Sequence, residues 1–527
     1  MSRLLVRTSP AVLPLLIALA ATPAAAGQAT PAPATTPAPA AAPAAVAPRV
    51  LSLDDALALA EARNESVLIA EAGVRKAAGT IDQAKSQRLP QLTGTGSYTR
   101  TLKSEFSGIF DASTFGGGDN GNADLSNLPF GQANAHRLGL DFSQLIWAGG
   151  RERALVKQAR LGRDAAAVSL AATKAQLALD VAQAFYDAAL ADRLVAIAEE
   201  AFAQASRAFD QTNAKRDAGR VSEFELLRAQ VDRDTQRSPV VRAGATRDVA
   251  YLRLKQLLDL PLGTPIQLSA QLDDPRLAPA ARFSTRLAEA EASPAPRLRS
   301  AVTQAEYGVQ VSEAGVVIAD AQRKPAFALQ SAYGVVNYNG WPGFDDWRTN
   351  WTVGVGMQIP ILTGGRIKAE QGIARADVDA AKARLQLTKE LSDLDDASAR
   401  AELGAARAEW EASGGIVQQA ARAYEIAELR FREGLSTQLE LSDARLLLAQ
   451  AQVQRSRAAR DLQMTRVRLA LLPELPLGGG TGGGSGAGGA GAAQGSAPSA
   501  AASSPAQGSG SGGATGSPAA AGAQGAR

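Results

Sequence analysis

The sequence predicts an α+β membrane protein in which each chain lends four β-strands to a barrel shared between several chains and adds unusually long helices. Two helical stretches, 151–217 and 366–432, each run for 67 residues. The segments that follow Pro90 and Pro325 change from a helical period to a period of two. The first half of the chain also recurs, in order, in the second.

Reading from the N-terminus, Arg3 and Arg7 precede an apolar stretch from Ala11 to Ala21 and the small residues Ala24, Ala25 and Ala26. That is the pattern of a secretory signal at 1–26, cleaved after Ala26. Pro10 and Pro14, and a run shorter than the ~20 apolar residues a span needs, argue against an anchoring helix. Residues 27–50 are Ala/Pro-rich and residues 478–527 are almost entirely Gly, Ala, Ser, Pro and Gln. Both are too poor in apolar bulk to pack and are expected to be a disordered linker and tail. No run of eighteen or more apolar residues occurs downstream, which leaves closed β-strands as the way into a membrane.

The folded part divides into two repeats, 51–265 and 266–477. Gly149, Gly150 and Arg151 recur as Gly364, Gly365 and Arg366, an offset of 215 positions (149 to 364). The same offset aligns Gly219 with Gly434, Ser222 with Thr437, Glu225 with Glu440 and Ala229 with Ala444. Upstream the offset is 235 (88 to 323), so the first copy holds an insertion, placed in the Gly- and Asn-rich stretch between Lys103 and Gln132. An internal duplication explains this register; isolated glycine turns do not.

Within each copy the order is helix, hairpin, long helix, turn, helix. Leu170, Leu177, Val181 and Phe185 follow helical steps in the first long helix, which at ~1.5 Å per residue reaches about 100 Å. The second is expected to bend or loosen at Ser413, Gly414 and Gly415. In the hairpins Trp351, Val353, Val355, Met357 and Ile359 alternate with Thr352, Gly354, Gly356 and Gln358. Phe327, Leu329, Tyr333 and Val335 do likewise, as do Leu138, Leu140 and Phe142 against Gly139, Asp141 and Ser143. This fits lipid outside and water inside a barrel, with a half-buried soluble sheet as the alternative. Trp341, Trp347 and Trp351 gather around one loop, as an interfacial girdle does. Four strands leave no aqueous bore, because even about eight leave room only for side chains or a small ligand, so several chains must pool their strands.

Composition narrows the function classes. With 0 Cys there is no disulfide scaffold, cysteine-ligated zinc, thiol nucleophile or acylated N-terminal cysteine. His136 is the only histidine, expected at the edge of a strand facing solvent, so the usual catalytic and metal constellations are missing. No cofactor or metal is implied. A net charge of +3, from 55 basic and 52 acidic residues, does not imply nucleic acid.

Two kinds of motif carry a family resemblance. One is the strand-ending pair 144–150 (QLIWAGG) and 358–365 (QIPILTGG), each leading into a long helix; the other is the turn pair 218–227 (AGRVSEFELL) and 433–441 (EGLSTQLEL). With these in order and duplicated, the chain resembles the TolC-like outer-membrane efflux proteins over nearly all of 51–477. The resemblance implies a homotrimer whose shared barrel sits in outer-membrane lipid and whose helices continue it as a hollow periplasmic cylinder. It implies a passive exit duct of a tripartite efflux or type I secretion system, partnered by a periplasmic adaptor and an inner-membrane transporter, and no enzyme. Drugs, peptides or proteins, and metal ions all remain open as cargo.

The resemblance also assigns sites. Gly219, Arg220, Ser222, Gly434, Ser436 and Thr437 fall at the periplasmic tip where an adaptor docks. Glu440 and Asp443, with Glu225, fall at the entrance constriction; the alternative is ordinary solvated helix charge. The family links its two tips by a basic residue two positions after the second glycine and an acid six after the first; here the acid is Glu225 but the basic position is Ser436, so that salt bridge is expected to be absent or replaced through Arg220 or Arg432. Gly149, Gly150, Gly364 and Gly365 mark the strand-to-helix turns. A periplasmic coiled-coil adaptor without a channel is the rival reading; it has no use for two alternating hairpins.

Overall fold

The computed structural model describes residues 49–103, 133–269, 272, 281–292, 298–338 and 347–477. The proposed signal peptide, most of the Ala/Pro-rich linker, the insertion after Lys103, Trp341 and the C-terminal tail lie outside them.

Along the chain the elements are β1 (Arg49–Leu51), α1 (Leu53–Arg63), α2 (Glu65–Ser86), β2 (Gln91–Arg100), β3 (Asn134–Ala148), α3 (Arg151–Asp217) and α4 (Glu223–Leu257). They continue with β4 (Ile266–Leu268), α5 (Ala281–Ala292), α6 (Ser300–Ala321), β5 (Ala326–Asn337), β6 (Arg348–Gln358), α7 (Arg366–Arg432) and α8 (Gln438–Leu471). The long helices start and stop where the sequence places them. Each opens on a glycine in the left-handed region, Gly150 and Gly365, a conformation that costs other L-residues roughly 1–2 kcal/mol.

Helices α1 and α2 are two elements rather than one. Asn64 closes the first and caps the second, its Oδ1 accepting from Ser66 N at 2.9 Å while its Nδ2 donates to Leu257 O at 3.3 Å. Strands β1 and β4 pair in parallel; at three residues each they carry too little pattern to be read from sequence. They sit beside the main core, where α3, α4, α8, α1 and α5 bury Phe185, Val181, Leu254, Leu258, Leu462, Leu469, Leu57 and Phe283. Each such side chain contributes about 1.5–3 kcal/mol by leaving water.

The expected loosening at Ser413–Gly415 does not occur, since α7 runs through unbroken. Gly414 instead makes room for a partner: a Cβ there would lie 2.8 Å from the guanidinium of Arg455 on α8. That guanidinium lies over the Trp410 ring at 5.2 Å and donates to Trp410 O at 3.3 Å.

One 18-residue window of α3 reaches a mean hydropathy of 1.2, enough by composition to cross a membrane. Alanine supplies much of that value, and the helix packs against α2, α4, α6 and α8. Towards the α3–α4 and α7–α8 turns the helices lie in the order α4, α3, α8, α7; towards the strands they lie as α2, α3, α6, α7.

Strands β2, β3, β5 and β6 form one antiparallel sheet in that order. Strand β6 stops at Gln358, one residue short of the expected Ile359; Pro360 follows and has no N–H to continue a ladder.

Candidate functional site

The helix turns come first. At the α3–α4 turn Gly219 has φ +70°, the Arg220 N–H donates to Lys215 O at 2.9 Å and the Gly219 N–H to Arg216 O at 2.7 Å. At the α7–α8 turn Gly434 has φ +75°, with Leu435 N donating to Arg430 O at 2.7 Å and Gly434 N to Phe431 O at 3.2 Å. Both are helix stops that need a residue without a Cβ. Ser222 and Thr437 then cap the returning helices, accepting from Glu225 N at 3.4 Å and Glu440 N at 3.3 Å. Glu225 and Glu440 thus each hold the third helical position, where a carboxylate also suits the helix dipole.

Glu440 and Asp443 are exposed, one turn apart on the same face of α8, while Glu225 is half-buried. Arg220 and Arg432 are exposed, and Ser436 Oγ donates to Ala427 O at 3.4 Å within its own hairpin. Among the described ion pairs none joins Glu225 to Arg220 or Arg432. The two turns of the chain are held together by other residues. Arg445 on α8, buried, pairs with Asp232 on α4 at 2.6 Å. Gln438, also buried, donates through its amide to Glu225 O and accepts from Ala229 N, both at 3.2 Å in the satisfied orientation. Lys215 Nζ donates to Phe431 O at 2.6 Å and lies 4.4 Å from the centre of the Phe431 ring. Beneath them Ala208, Tyr424, Phe431, Leu441 and Leu448 pack into a small core. Burial, and then the Glu428 carboxylate, hold the Tyr424 phenol above its ordinary range.

Sequence reasoning passed over these latch residues, although a signal was present. Gln438, Leu441, Arg445 and Leu448 follow a 3, 4, 3 spacing on α8, so a glutamine and an arginine occupy the inward phase of an otherwise apolar seam.

At the other end, Gly149 (φ +65°) abuts the end of α6. A Cβ there would lie 2.8 Å from Lys324 Cβ and 2.9 Å from Ala321 O, and Lys324 Nζ donates to Gly149 O at 3.3 Å. Gly364 and Gly365, at φ +58° and +83°, have open space around them.

The register then sorts the sheet into two faces. On one, Leu92 and Tyr98 of β2 align with Phe142 and His136 of β3, and Leu138 and Leu140 with Val335 and Tyr333 of β5. Leu329 and Phe327 in turn meet Val355 and Met357 of β6, and Tyr333 meets Trp351. The register shifts between Leu145 and Trp147, which brings Trp147 into phase with Phe327, ring centres 6.1 Å apart. His136, expected to face solvent beside a strand, stands inside β3, half-buried and stacked on Tyr98 at 4.7 Å, because strand pairing extends to Asn134. The opposite face carries Thr95, Ser97, Arg137, Gly139, Asp141, Gly334, Asn350 and Thr352 around a hollow of about 600 Å³.

Comparison with known proteins places this architecture. The Outer membrane efflux protein family matches residues 56–259 and 295–473, one stretch in each half. Nodulation protein T of Rhizobium leguminosarum bv. viciae is 24% identical over 263 residues, covering 49% of this chain and 52% of that protein, so the chain spans about half the length of this relative. Among solved structures, the Campylobacter jejuni CmeC outer membrane channel superposes with a TM-score of 0.61 at 18% identity, over 81% of this chain and 86% of that one. The outer membrane protein VceC of Vibrio cholerae gives 0.62 at 19% over 80% and 96%. The open MtrE outer membrane channel of Neisseria gonorrhoeae gives 0.63 at 20% over 81% and 89%. Matched in both halves and sharing that fold, the chain belongs to the outer membrane efflux protein family and resides in the outer membrane.

Proposed function

We propose that three copies of this chain form the passive exit duct of a tripartite efflux or type I secretion system, fed by an inner-membrane pump through a periplasmic adaptor. The sheet carries this reading: one face is apolar, the other is polar and hollowed, and among the described residues both outer strands, β2 and β6, are paired on one side only. Unpaired strand edges are not stable in lipid, so the sheet needs neighbours of its own kind. The dimensions agree. From His136 to Trp147 a strand rises about 36 Å at ~3.3 Å per residue, and a tilt of ~45° makes that about 25 Å, the height of a lipid-facing band between aromatic girdles.

The helices need neighbours too. At the sides of the protomer, α4 leaves Phe224, Leu227, Val231 and Val241 exposed and α7 leaves Ile373, Leu387, Leu394 and Ile416 exposed. These flanks support side-by-side closure of a helical cylinder. In that assembly the two repeats, 51–265 and 266–477, are copies of one unit. The Gly219 and Gly434 turns with Arg220, Ser222, Ser436 and Thr437 form the adaptor-docking tip, and Glu440, Asp443 and Glu225 line the entrance. Residues 1–26 act as the export signal.

Cross-linking of detergent-solubilised protein should give a three-subunit ladder, and the same sample should conduct ions across a planar bilayer. A detergent-independent monomer without conductance would instead indicate a periplasmic coiled-coil protein.

A further inference from the structure

The four crossings between strand and helix share a composition. Trp147 and Phe327 close the apolar face of the sheet with rings 6.1 Å apart, and Ile361 and Leu362, between β6 and α7, are 94% and 92% exposed. Exposed basic residues follow at once on the helix side. Arg88 precedes β2, Arg323 and Lys324 precede β5, and Arg151 and Arg153 open α3. Arg366 and Lys368 open α7 in the same way. The carboxylates at this level are withdrawn: Glu152 is buried, Asp320 accepts from Gln371 Nε2 at 2.9 Å, and Glu370 pairs with Arg366 at 2.6 Å. The helical step then sorts the cations onto the two surfaces of the layer formed by α2, α3, α6 and α7. Side chains two residues apart point about 200° apart, and the residues between these pairs, Glu152 and Ile367, are buried. Arg151 stands seven residues before Gln158 and Arg366 eleven before Asp377, and Gln158 and Asp377 line one groove along α6. Arg151 and Arg366 therefore share the grooved surface, while Arg153, Lys157 one turn on, and Lys368 share the other. Arg366 is already committed to Glu370 and to Gln322 Oε1 at 3.0 Å. Among the described residues no ion pair holds Arg153, Lys157 or Lys368. On their surface the first exposed carboxylates are Glu313 of α6, about 12 Å along its helix from the strand end, and Asp164 of α3 and Asp379 of α7, about 20 Å along theirs.

We infer that Arg153, Lys157 and Lys368 form a surface for anionic phospholipid, holding headgroup phosphates of the leaflet on the helix side of the bilayer. The inference rests on the reading above, in which the strands lie in lipid and the helices leave it. Apolar and aromatic side chains at the strand ends, with cations within a turn beyond them, follow the bilayer edge from acyl chain to headgroup. Arginine and lysine suit that boundary because their stems lie along apolar surface while their heads reach the phosphates. The surface is continuous with the apolar face of the sheet, so the lipid that covers the one lies beside the other. Each Lys or Arg near an anionic bilayer surface strengthens binding about fivefold. In three copies the belt would carry nine such cations, enough to select lipid by charge.

The test titrates the detergent-solubilised full chain at low salt with phosphatidylglycerol, or with phosphatidylcholine of the same acyl chains, and counts bound lipid by native mass spectrometry. Wild type should bind phosphatidylglycerol at a concentration about fivefold lower or better. Arg153→Gln with Lys157→Gln and Lys368→Gln should bring that preference within about twofold. Arg153→Lys with Lys157→Arg and Lys368→Arg keeps the charge and should preserve it, as should Arg151→Gln with Arg366→Gln on the grooved surface. Should the triple Gln variant fail to assemble, Lys157→Gln with Lys368→Gln should still halve the preference. Glycerol phosphate, a headgroup without acyl chains, should leave the lipid bound at equal concentration; displacement would reveal a site for free anions and overturn the inference. Equal binding of the two lipids by wild type, a preference that survives the triple Gln change, or one lost only in the grooved-surface pair would overturn it as well. A wild-type chain that stays folded and dispersed without detergent and binds neither lipid would overturn the reading that its strands lie in a membrane.

Discussion

Replacing Arg445 by Ala tests whether the buried pair it forms with Asp232 holds the two helix turns of a protomer together. The pair lies at 2.6 Å, with the arginine side chain 6% and the aspartate side chain 20% exposed. At an effective dielectric constant of ~20, unit charges ~4 Å apart attract by about 4 kcal/mol, and removing one partner of a buried pair typically costs about 3–5 kcal/mol. Asp232 keeps some access to water, so a cost of about 2–3 kcal/mol is expected, which multiplies the open population about 30- to 150-fold. The readout is chemical. The chain has 0 Cys, so Thr212→Cys, at a nearby α3 position 2% exposed, introduces a lone thiol that reacts only when the turns part. Arg445→Ala and Asp232→Ala should each speed its labelling by that factor. The double variant should fall well short of the product of the two, as a double-mutant cycle requires of a direct contact. Labelling within threefold of the parent in both single variants would refute the latch.

Four further outcomes are expected. Glu440→Ala with Asp443→Ala should lower cation preference and weaken multivalent-cation block from the periplasmic side, an effect best read at low salt because exposed charges are screened; unchanged selectivity would make them plain surface charge. Of the 7 tyrosines, Tyr186 is pushed up to about 12 by burial, and Tyr251 is raised by burial and by its bond to Asp192 at 2.6 Å. Both folded-state values exceed the unfolded value near 10, so this stability is full below pH ~10 and is lost as pH rises through about 12; a tyrosinate titration in which all seven ionise together near 10 would contradict it. Gly149→Ala meets Lys324 Cβ and Ala321 O within 3 Å at positive φ, whereas Gly365→Ala meets only the φ cost, so the first should lower the thermal midpoint more. Deletion after Leu477 should leave the cross-linking ladder of the full chain unchanged, since a Gly, Ala and Ser chain has too little apolar area to offset its ordering entropy.

The long-range outline of this fold was legible because its signals repeat. Sixty-seven residues without proline, opened by paired glycines and closed by a third, define α3 and α7 to the residue. Period-two runs define which side of β3, β5 and β6 is apolar. What escaped was local and depended on a partner. Strict alternation from Phe142 would set Trp147 on the polar face, and only the ladder to β5 reveals the shift that turns it back to Phe327. Gly414 reads as a helix breaker until Arg455 is seen lying against it. The break at Asn64 rests on the hydrogen bonds of one side chain and the β1–β4 pair on three-residue strands, below what periodicity can detect.

The tip shows why the partly legible case matters most. On α8 the inward phase holds Gln438, Leu441, Arg445 and Leu448, and the outward phase holds Glu440, Asp443 and Leu447. One helix therefore sets both the buried latch and the exposed acids, and their relative placement is fixed by the helical step of about 100° per residue. A turn of α8 large enough to swing Glu440 and Asp443 away from a central axis must first draw Arg445 off Asp232 and Gln438 off Glu225 O. If the acids ring an entrance, widening it and breaking the latch are one motion. Thiol labelling at position 212 and conductance should then rise together across a series of Arg445 and Asp232 variants. A variant that labels fast yet conducts like the parent would separate the two and show that the latch stabilises the tips without governing the opening.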